Sequence, residues 1–397
     1  MIKKIILKCY IYCNQVIEET INEILHQQVF QRLEASFLGL THIINTADYY
    51  ADHLIKIKIL TVHFNELKKQ LLRDKSIEDS LLFEKLYHQE YNHPGGEPYS
   101  LWINDYLMDI NENNHLYCLE KLADMAALAF VPMITALKDY KQDRPFLKNY
   151  LWKKLIKKMS ADFMGLFYPP VLMRRTYDLE KIKHIDDYLW GNPCYDYAAK
   201  AISVFAETGW FTELTSKNFT SDISNTRYNR FSIDSCEFIN RKNLVKLYFT
   251  PKEMTLLNEA GLTIVSESDW KKNIIFTTSP SIKEKTKKSY STSLPVLLCV
   301  VRLIHCVKIM FRNKIGCFTK IEHYENYLQH WLLSYCSKYL PVSHASQARY
   351  PLAYAKITLN KSKNNHTHYP FIIELIPYLH HSNTNRVYIK SMFIIRE

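Results

Sequence analysis

Several groups of residues have types and spacing that could do chemistry. Gly95-Gly96-Glu97-Pro98-Tyr99 could cradle an anion on backbone amides or hold a buried carboxylic acid. Turn chemistry accounts for every residue of it, with Glu97 and Tyr99 satisfying nearby backbone groups, and is the preferred reading. Trp190-Gly191-Asn192 could line a pocket, but close backbone packing with Asn192 as a cap explains it more simply. His366 and His368, with His380 and His381, carry the right donor for a metal. No carboxylate or Cys stands at ligand spacing, so no metal is expected. Lys283, Lys285, Lys287 and Lys288 could hold phosphates. They lack interleaved aromatics on which bases would stack, so a solvated charged segment is expected and nucleic acid is not.

Glycine is scarce, at eight in 397 residues: Gly39, Gly95, Gly96, Gly165, Gly191, Gly209, Gly261 and Gly316. Only Gly95 and Gly96 lie close together and Gly-Lys never occurs, which excludes GxGxxG and the P-loop. GxSxG, HExxH, HxE with PCxxC, and the EF-hand loop are also absent. No nucleophile, base and orienter can be named, so neither catalysis nor a cofactor is expected. The nine cysteines include no CxxC pair and read as buried thiols in a reducing cytosol. In the N-terminal MIKKIILKCYIYC, Lys8 breaks the apolar run and no small-residue cleavage site follows, so export by a signal peptide is not expected.

The elements that must position these residues alternate between helix and strand. Residues 14–46 read as helical, Ile55 to Val62 as a strand, Glu66 to Arg73 as a helix capped by Asn65, and Ile77 to Glu90 as a helix entering the Gly95 turn. Helices follow at Leu116 to Leu128, Asn149 to Lys158, Tyr197 to Glu207 and 252–262, with a strand-like Lys242 to Phe249. A long apolar helix from Pro295 to about Lys314 stops at Gly316 and carries Arg302, His305, Lys308 and Arg312 on one third of its circumference. Those charges argue against a membrane span. A helix at Tyr324 to Tyr335 and three β-like runs close the chain: Ala353 to Leu359, Pro370 to Ile376 and Arg386 to Ile395.

Charge divides the chain as well. Residues 271–397 hold 19 Lys and Arg against five Asp and Glu, a surplus of 14, whereas the first 270, with 32 against 35, stand near −3. The expected organisation is an N-terminal helical segment (1–54), an α/β core (55–268), a linker or exposed loop (269–293) and a basic C-terminal domain (294–397). The fold class is α/β to α+β: a mixed sheet flanked by helices, plus a C-terminal helical and β domain.

Fragments in order along the chain then resemble one family. They are Glu23-Ile24-Leu25-His26, Phe30-Gln31-Arg32-Leu33-Glu34, Gly39-Leu40, Pro94-Gly95-Gly96-Glu97-Pro98-Tyr99, Asp105-Tyr106, Gly165-Leu166, Pro170-Val171-Leu172, Tyr188-Leu189-Trp190-Gly191-Asn192, Phe205-Ala206-Glu207 and Gly209-Trp210. Arg312-Asn313-Lys314-Ile315-Gly316 and Gln347-Ala348-Arg349-Tyr350-Pro351-Leu352 complete the series. From about residue 20 onward the chain resembles the large contractile-sheath subunit of bacterial type VI secretion systems, the TssC, VipB or ImpC family. Phe37 stands where that family usually has Trp.

The resemblance implies a contractile-tail-sheath-like fold and a structural subunit in the cytoplasm. It would pair with a small sheath subunit of the TssB or VipA type and polymerise with copies of itself around an inner tube on a baseplate. Contraction drives the tube outward, and an AAA+ ATPase disassembles the sheath. Residues 1–19 are unlike the family's N-terminal arm, which points away from linkage and recycling through that segment. In this frame Arg302, His305, Lys308 and Arg312 are expected to meet the tube or a partner, and Ile357, Ile373 and Tyr388 to lie at a strand-exchange interface. The structural motif would comprise Gly95, Gly96, Glu97, Pro98, Tyr99, Trp190, Gly191, Asn192 and Gly316. The competing readings are a basic nucleic-acid-binding or scaffolding protein and a truncated sheath remnant that does not assemble.

Overall fold

The computed structural model describes residues 2–50, 54–74, 76–91, 93, 95–138, 149–174, 188–215, 244–267, 274–276, 278–284, 293–314, 321–337, 348–359, 368–378 and 387–394. Gly316, Lys285, Lys287, Lys288, His366, His380 and His381 lie outside the described residues, whereas His368 begins a strand of the C-terminal sheet.

Two long helices, α1 (Ile2–Leu25) and α2 (Gln28–Tyr50), open the chain. The segment 55–63 that follows is not a strand, contrary to the alternation of Ile and Lys; among the described residues no strand pairs with it. Its lysines find carboxylates instead, and Val62 accepts a hydrogen bond from the Tyr106 hydroxyl through its carbonyl. Helix α3 (Phe64–Arg73) is capped by His63, whose ring accepts from the Asn65 amide at 3.3 Å, rather than by Asn65 itself. Short helical turns at Leu81–Phe83, Glu84–His88 and Gln89–Tyr91 lead into the Gly95 turn.

A five-stranded sheet is built next, in the order β1 (Trp102–Met108), β2 (Met133–Leu137), β3 (Met164–Tyr168), β6 (Leu262–Glu267), β7 (Ile274–Phe276). The first four run parallel and β7 is antiparallel to β6. Parallel neighbours need crossovers, supplied here by α4 (Asn113–Ala129), α5 (Tyr150–Lys157), α6 (Cys194–Thr208) and α7 (Pro251–Glu259). Two of these helices are capped: Asn149 accepts from the Leu151 amide at 2.9 Å, and Thr250 with Glu253 forms a reciprocal capping box around Pro251. A small pair, β4 (Val171–Leu172) with β5 (Trp190–Gly191), lies apart. Among the described residues of the Lys242 to Phe249 run, Val245 alone makes a β-bridge, to Val171.

Alternation along the strands sends side chains to two cores. Met133, Leu137, Leu166, Tyr168, Leu262 and Ile264 face one cluster with α3, α4 and α5. Ile134, Ala136, Phe167 and Val265 face another, formed with α6 and with α8 (Leu294–Lys314), α9 (Ile321–Leu333) and the C-terminal sheet. That sheet is antiparallel, in the order β10 (Val387–Ile394), β9 (His368–Pro377), β8 (Leu352–Leu359). Helix α8 is long and apolar enough to cross a membrane, but most of it is buried inside the protein as a core helix.

The stretch expected to be a linker or exposed loop is packed where it is described. Ile274–Phe276 pairs with β6, Ser279, Ser281 and Ile282 are buried, and the Ile282 amide donates to the Met164 carbonyl. Strand pairing and burial of the apolar Ile274, Phe276 and Ile282 outweigh the surrounding polar composition. Cys118, Cys194 and Cys299 are buried thiols as expected, whereas Cys9 and Cys13 are exposed on α1.

Candidate functional site: an intrachain clamp and the assembly edges

The basic stripe of α8 does not face outward; it clamps the C-terminal segment onto the N-terminal one. His305 is buried and donates its Nε2–H to the Phe130 carbonyl at 3.0 Å. Burial, reinforced by the Lys308 ammonium, pushes its pKa down to about 3 against the smaller opposing pull of that hydrogen bond. The ring is therefore a neutral donor at physiological pH. Lys308 Nζ sits 4.5 Å from the ring centre of Phe130, 5.1 Å from Tyr91 and 5.8 Å from Tyr87. Burial lowers its pKa to about 8, so in this aromatic cage the ammonium is held by ring quadrupoles rather than by water.

Arg312 closes the clamp by donating through Nη1 to the Tyr91 and His93 carbonyls, both at 3.1 Å. Those are carbonyls at the end of the 81–91 helical stretch, which has no continuing helix to receive them. Arg302 looks the other way, stacking at 4.4 Å on Phe205 and 5.2 Å on Trp210, with its pKa lowered by burial. An exposed tube- or partner-binding stripe is thus corrected: a helix this apolar is buried, and its cations find aromatic faces and carbonyls of the same chain.

Phe130 ends α4 in the left-handed region at φ 52°, unusual for a bulky residue. Its carbonyl is held by His305 and its ring by Lys308, which together stabilise a conformation that would otherwise cost about 1 kcal/mol or more. The cage residues Tyr87, Tyr91 and Phe130 were not singled out from sequence. The i, i+4 spacing of Tyr87 and Tyr91 was the available signal.

The Gly95 turn adjoins this clamp. Gly95 has φ 81°, and a Cβ on Gly96 would lie 2.2 Å from the Glu90 carbonyl oxygen. This close return lets the Glu97 amide donate to Glu90 Oε2 at 2.9 Å. Glu97 and Glu90 in turn bind Lys56 and Lys58, and Lys58 lies 5.1 Å from the centre of the Tyr99 ring. Bonding to Lys58 and to the Glu97 amide outweighs burial and lowers the Glu90 pKa. Pro98 is half-buried within the same turn. The turn therefore ties segment 55–63 to the helical stretch that α8 grips.

Trp190-Gly191-Asn192 is a packing site. Gly191 lies where a Cβ would run into the Met173 side chain, and the Trp190 ring tilts against Tyr188 at 5.9 Å. Asn192 is buried; its side chain donates to the Asn104 carbonyl at 3.2 Å and accepts from the Cys194 amide at 2.9 Å. It joins the first turn of α6 to strand β1. Asp105 beside it is pushed up by burial, against hydrogen bonds from Ser36, Tyr195 and Asn192.

Among the described residues the C-terminal sheet has one edge covered by helix side chains and one that no strand takes. Gln329 of α9 donates to the Ala355 carbonyl and accepts from the Ile357 amide, both at 2.9 Å, while Glu325 accepts from the Leu359 amide at 3.2 Å. Helix side chains thus occupy the outer edge of β8. Ile373 lies in the middle strand with both edges paired, and both it and Ile357 are buried in the core. The expectation that they face strand exchange is corrected, because core packing claims their side chains. Tyr388 pairs with Glu374 in β10, and among the described residues no strand takes β10's outer edge.

The N-terminal helices are open too. From Lys3 to Ile24 no side chain of α1 is buried. Helix α2 buries Ala35, Gly39, Ile43 and Ala47 toward α6 but leaves Phe30, Leu33, Phe37 and Ile44 exposed along its other side. Among the described residues no group of His, Cys, Asp or Glu could hold a metal.

Two family models match nearly the whole chain: the EvpB/VC_A0108 tail sheath N-terminal domain over residues 11–283, and the tail sheath gpW/gp25-like domain of the same family over residues 283–389. The chain is 23% identical over 392 residues to the type VI secretion system sheath protein TssC1 of Pseudomonas aeruginosa, covering 88% of this chain and 78% of that protein. Among solved structures, a chain of the anti-feeding prophage baseplate is similar at 8% identity and TM-score 0.36, over 87% of this chain and 81% of that one. The sheath tail protein of Desulfitobacterium hafniense is similar at 10% identity and TM-score 0.34, over 70% of this chain and 60% of that one. The chain belongs to the VipB family of tail sheath proteins and is a contractile-sheath subunit of the type VI secretion class.

Proposed function

We propose that this chain is the large sheath subunit that pairs with a small sheath subunit and polymerises in the cytoplasm around an inner tube seated on a baseplate. It works mechanically, through contraction of the polymer, and not by chemical turnover. The observation that carries this reading is the match of both tail-sheath domains along residues 11–389. The exposed apolar stripe of α2 supports it: Phe30, Leu33 and Phe37 recur at helical spacing, the pattern of a helix that packs against a partner's helix or groove. The open edge of β10 supports strand addition between neighbouring subunits. In this reading the α8 clamp keeps each subunit one rigid body while subunits rotate past each other on contraction. The Gly95 turn and Trp190-Gly191-Asn192 are its structural fixtures. Recycling by an AAA+ ATPase would act on the contracted polymer.

Co-expression with the small sheath subunit of the same organism, with an affinity tag on that subunit only, tests the pairing. The chain is expected to co-purify in equal amounts, and Leu33→Asp with Phe37→Asp to reduce recovery at least tenfold. A chain that never co-purifies while remaining folded contradicts the reading.

A further inference from the structure

Segment 55–62 has the side-chain pattern of a strand without the pairing of one. Ile55, Ile57, Ile59, Thr61 and Val62 are β-branched, and the isoleucines alternate with Lys56 and Lys58. The segment runs from Ile55, packed on the cluster shared by α2 and α6, to Val62, packed on the cluster of α3, α4 and α5, with neither turn nor bend between them. Residues 56–61 are exposed, Ile57, Ile59 and Leu60 among them. Among the described residues no amide or carbonyl from 55 to 61 has a hydrogen-bond partner.

Side chains nevertheless hold the segment in place. Lys56 Nζ lies 2.6 Å from a Glu97 carboxylate oxygen, Lys58 donates to Glu90, and the Tyr106 hydroxyl donates to the Val62 carbonyl. Tyr106 belongs to β1, whose outer edge no strand takes among the described residues. A backbone pinned at several points and left unpaired is a template: a strand laid on it gains main-chain hydrogen bonds without first having to order this chain. Both lysines already have carboxylates, so the added strand meets isoleucine side chains on one face and neutralised charge on the other, which suits a mainly apolar strand.

The exposed apolar residues of α2, Phe30, Leu33, Phe37 and Ile44, continue along the chain through Tyr49 and Leu54 to Ile57, Ile59 and Leu60. A partner lying on the outer side of α2 therefore reaches segment 55–62 next. Two copies pairing antiparallel through this segment would instead close as a two-fold pair, which does not propagate into a polymer with one direction. We propose that segment 55–62 is completed as a β-strand by an extended, mainly apolar segment of the small sheath subunit. The inference rests on the pairing proposed above and adds a backbone site to the α2 stripe.

The test is hydrogen–deuterium exchange of the full chain, alone and co-purified with the tagged small subunit, together with two proline pairs. Alone, the amides of 55–61 should exchange as fast as free amides; in the complex a share of them should slow by about a hundredfold or more. Neighbouring amides of a strand point to opposite sides, so at least one of the pairs Ile57→Pro with Ile59→Pro and Lys56→Pro with Leu60→Pro should weaken recovery of the small subunit about tenfold or more. Neither pair should shift the urea midpoint of the chain alone, because no backbone hydrogen bond is lost there. Ile57→Val with Ile59→Val, which keeps every amide, should recover the small subunit as wild type does. Equally fast exchange of 55–61 in the complex overturns the inference and leaves the pairing intact. Slowed exchange with neither proline pair weakening recovery also overturns it, since the segment is then covered without being paired. Slowing in the chain alone as its concentration rises assigns the segment to a second copy and likewise overturns it. A small subunit that never co-purifies with wild type overturns the pairing and the inference together.

Discussion

Helix α8 and helix α1 are similar in length and both combine many apolar residues with several basic ones, yet one is mostly buried as a core helix and the other is exposed along nearly its whole length. The difference lies in what the rest of the chain offers. Around α8 stand the sheet, α6, three aromatic rings and the carbonyls of Phe130, Tyr91 and His93, so its apolar surface and its cations are both satisfied within one molecule. Among the described residues α1 packs little, chiefly against α2. Similar compositions are thus buried in a core in one case and left exposed in the other.

Substitutions should separate the two regions sharply. Phe167→Ala removes a fully buried ring packed at 4.8 Å on Tyr197 and 5.8 Å on Phe276, in the core that α8 shares. It should destabilise the fold by about 3–5 kcal/mol in urea unfolding. Next comes acid sensitivity of the clamp. His305 is held at about 3 when folded, below its ordinary value near 6.5, so its contribution is complete above pH 6.5 and is lost as pH falls toward 3. Between pH 7 and 4.5 wild type should lose about 2–3 kcal/mol more than His305→Gln, which keeps a donor toward Phe130. Equal losses would show that the histidine is not the acid-labile element.

Lys308 gives a smaller effect in the opposite pH direction. Its folded pKa of about 8 lies below the ordinary lysine value, so the unfolded chain binds the extra proton above pH 8 and stability rises with pH there. From pH 8 to 9.5 wild type should gain about 1 kcal/mol relative to Lys308→Met, read from paired urea midpoints. At the other extreme, Leu33→Asp on the exposed face of α2 should leave monomer stability within about 0.5 kcal/mol of wild type. A large loss there would mean that the face is already packed within the chain.

Much of the architecture was legible because local signals agreed with the fold. The helices near 149–158 and 252–262, the helix over Leu294–Lys314 and the three terminal strands all declared themselves through periodicity. The segment 55–63 was misread because alternation reports a pattern but not whether an edge exists to pair with it. The basic stripe was correctly placed on one face of a helix and incorrectly aimed. Sequence spacing fixes an angle around the axis, but Tyr87, Tyr91 and Phe130 reach that face from residues more than 170 positions away. Ile357 and Ile373 failed for a related reason: a strand's period gives two faces without saying which is the core. Gln329 and Glu325, which occupy the edge of β8, left no signal that sequence spacing could read.

The central claim is that the chain is a polymerising sheath subunit, and electron microscopy of the pellet after co-expression with the small sheath subunit tests it most directly. The account predicts hollow, helically striated tubes containing both chains, absent when Leu33 and Phe37 are both changed to Asp. Two folded chains that remain in the supernatant without associating would contradict it.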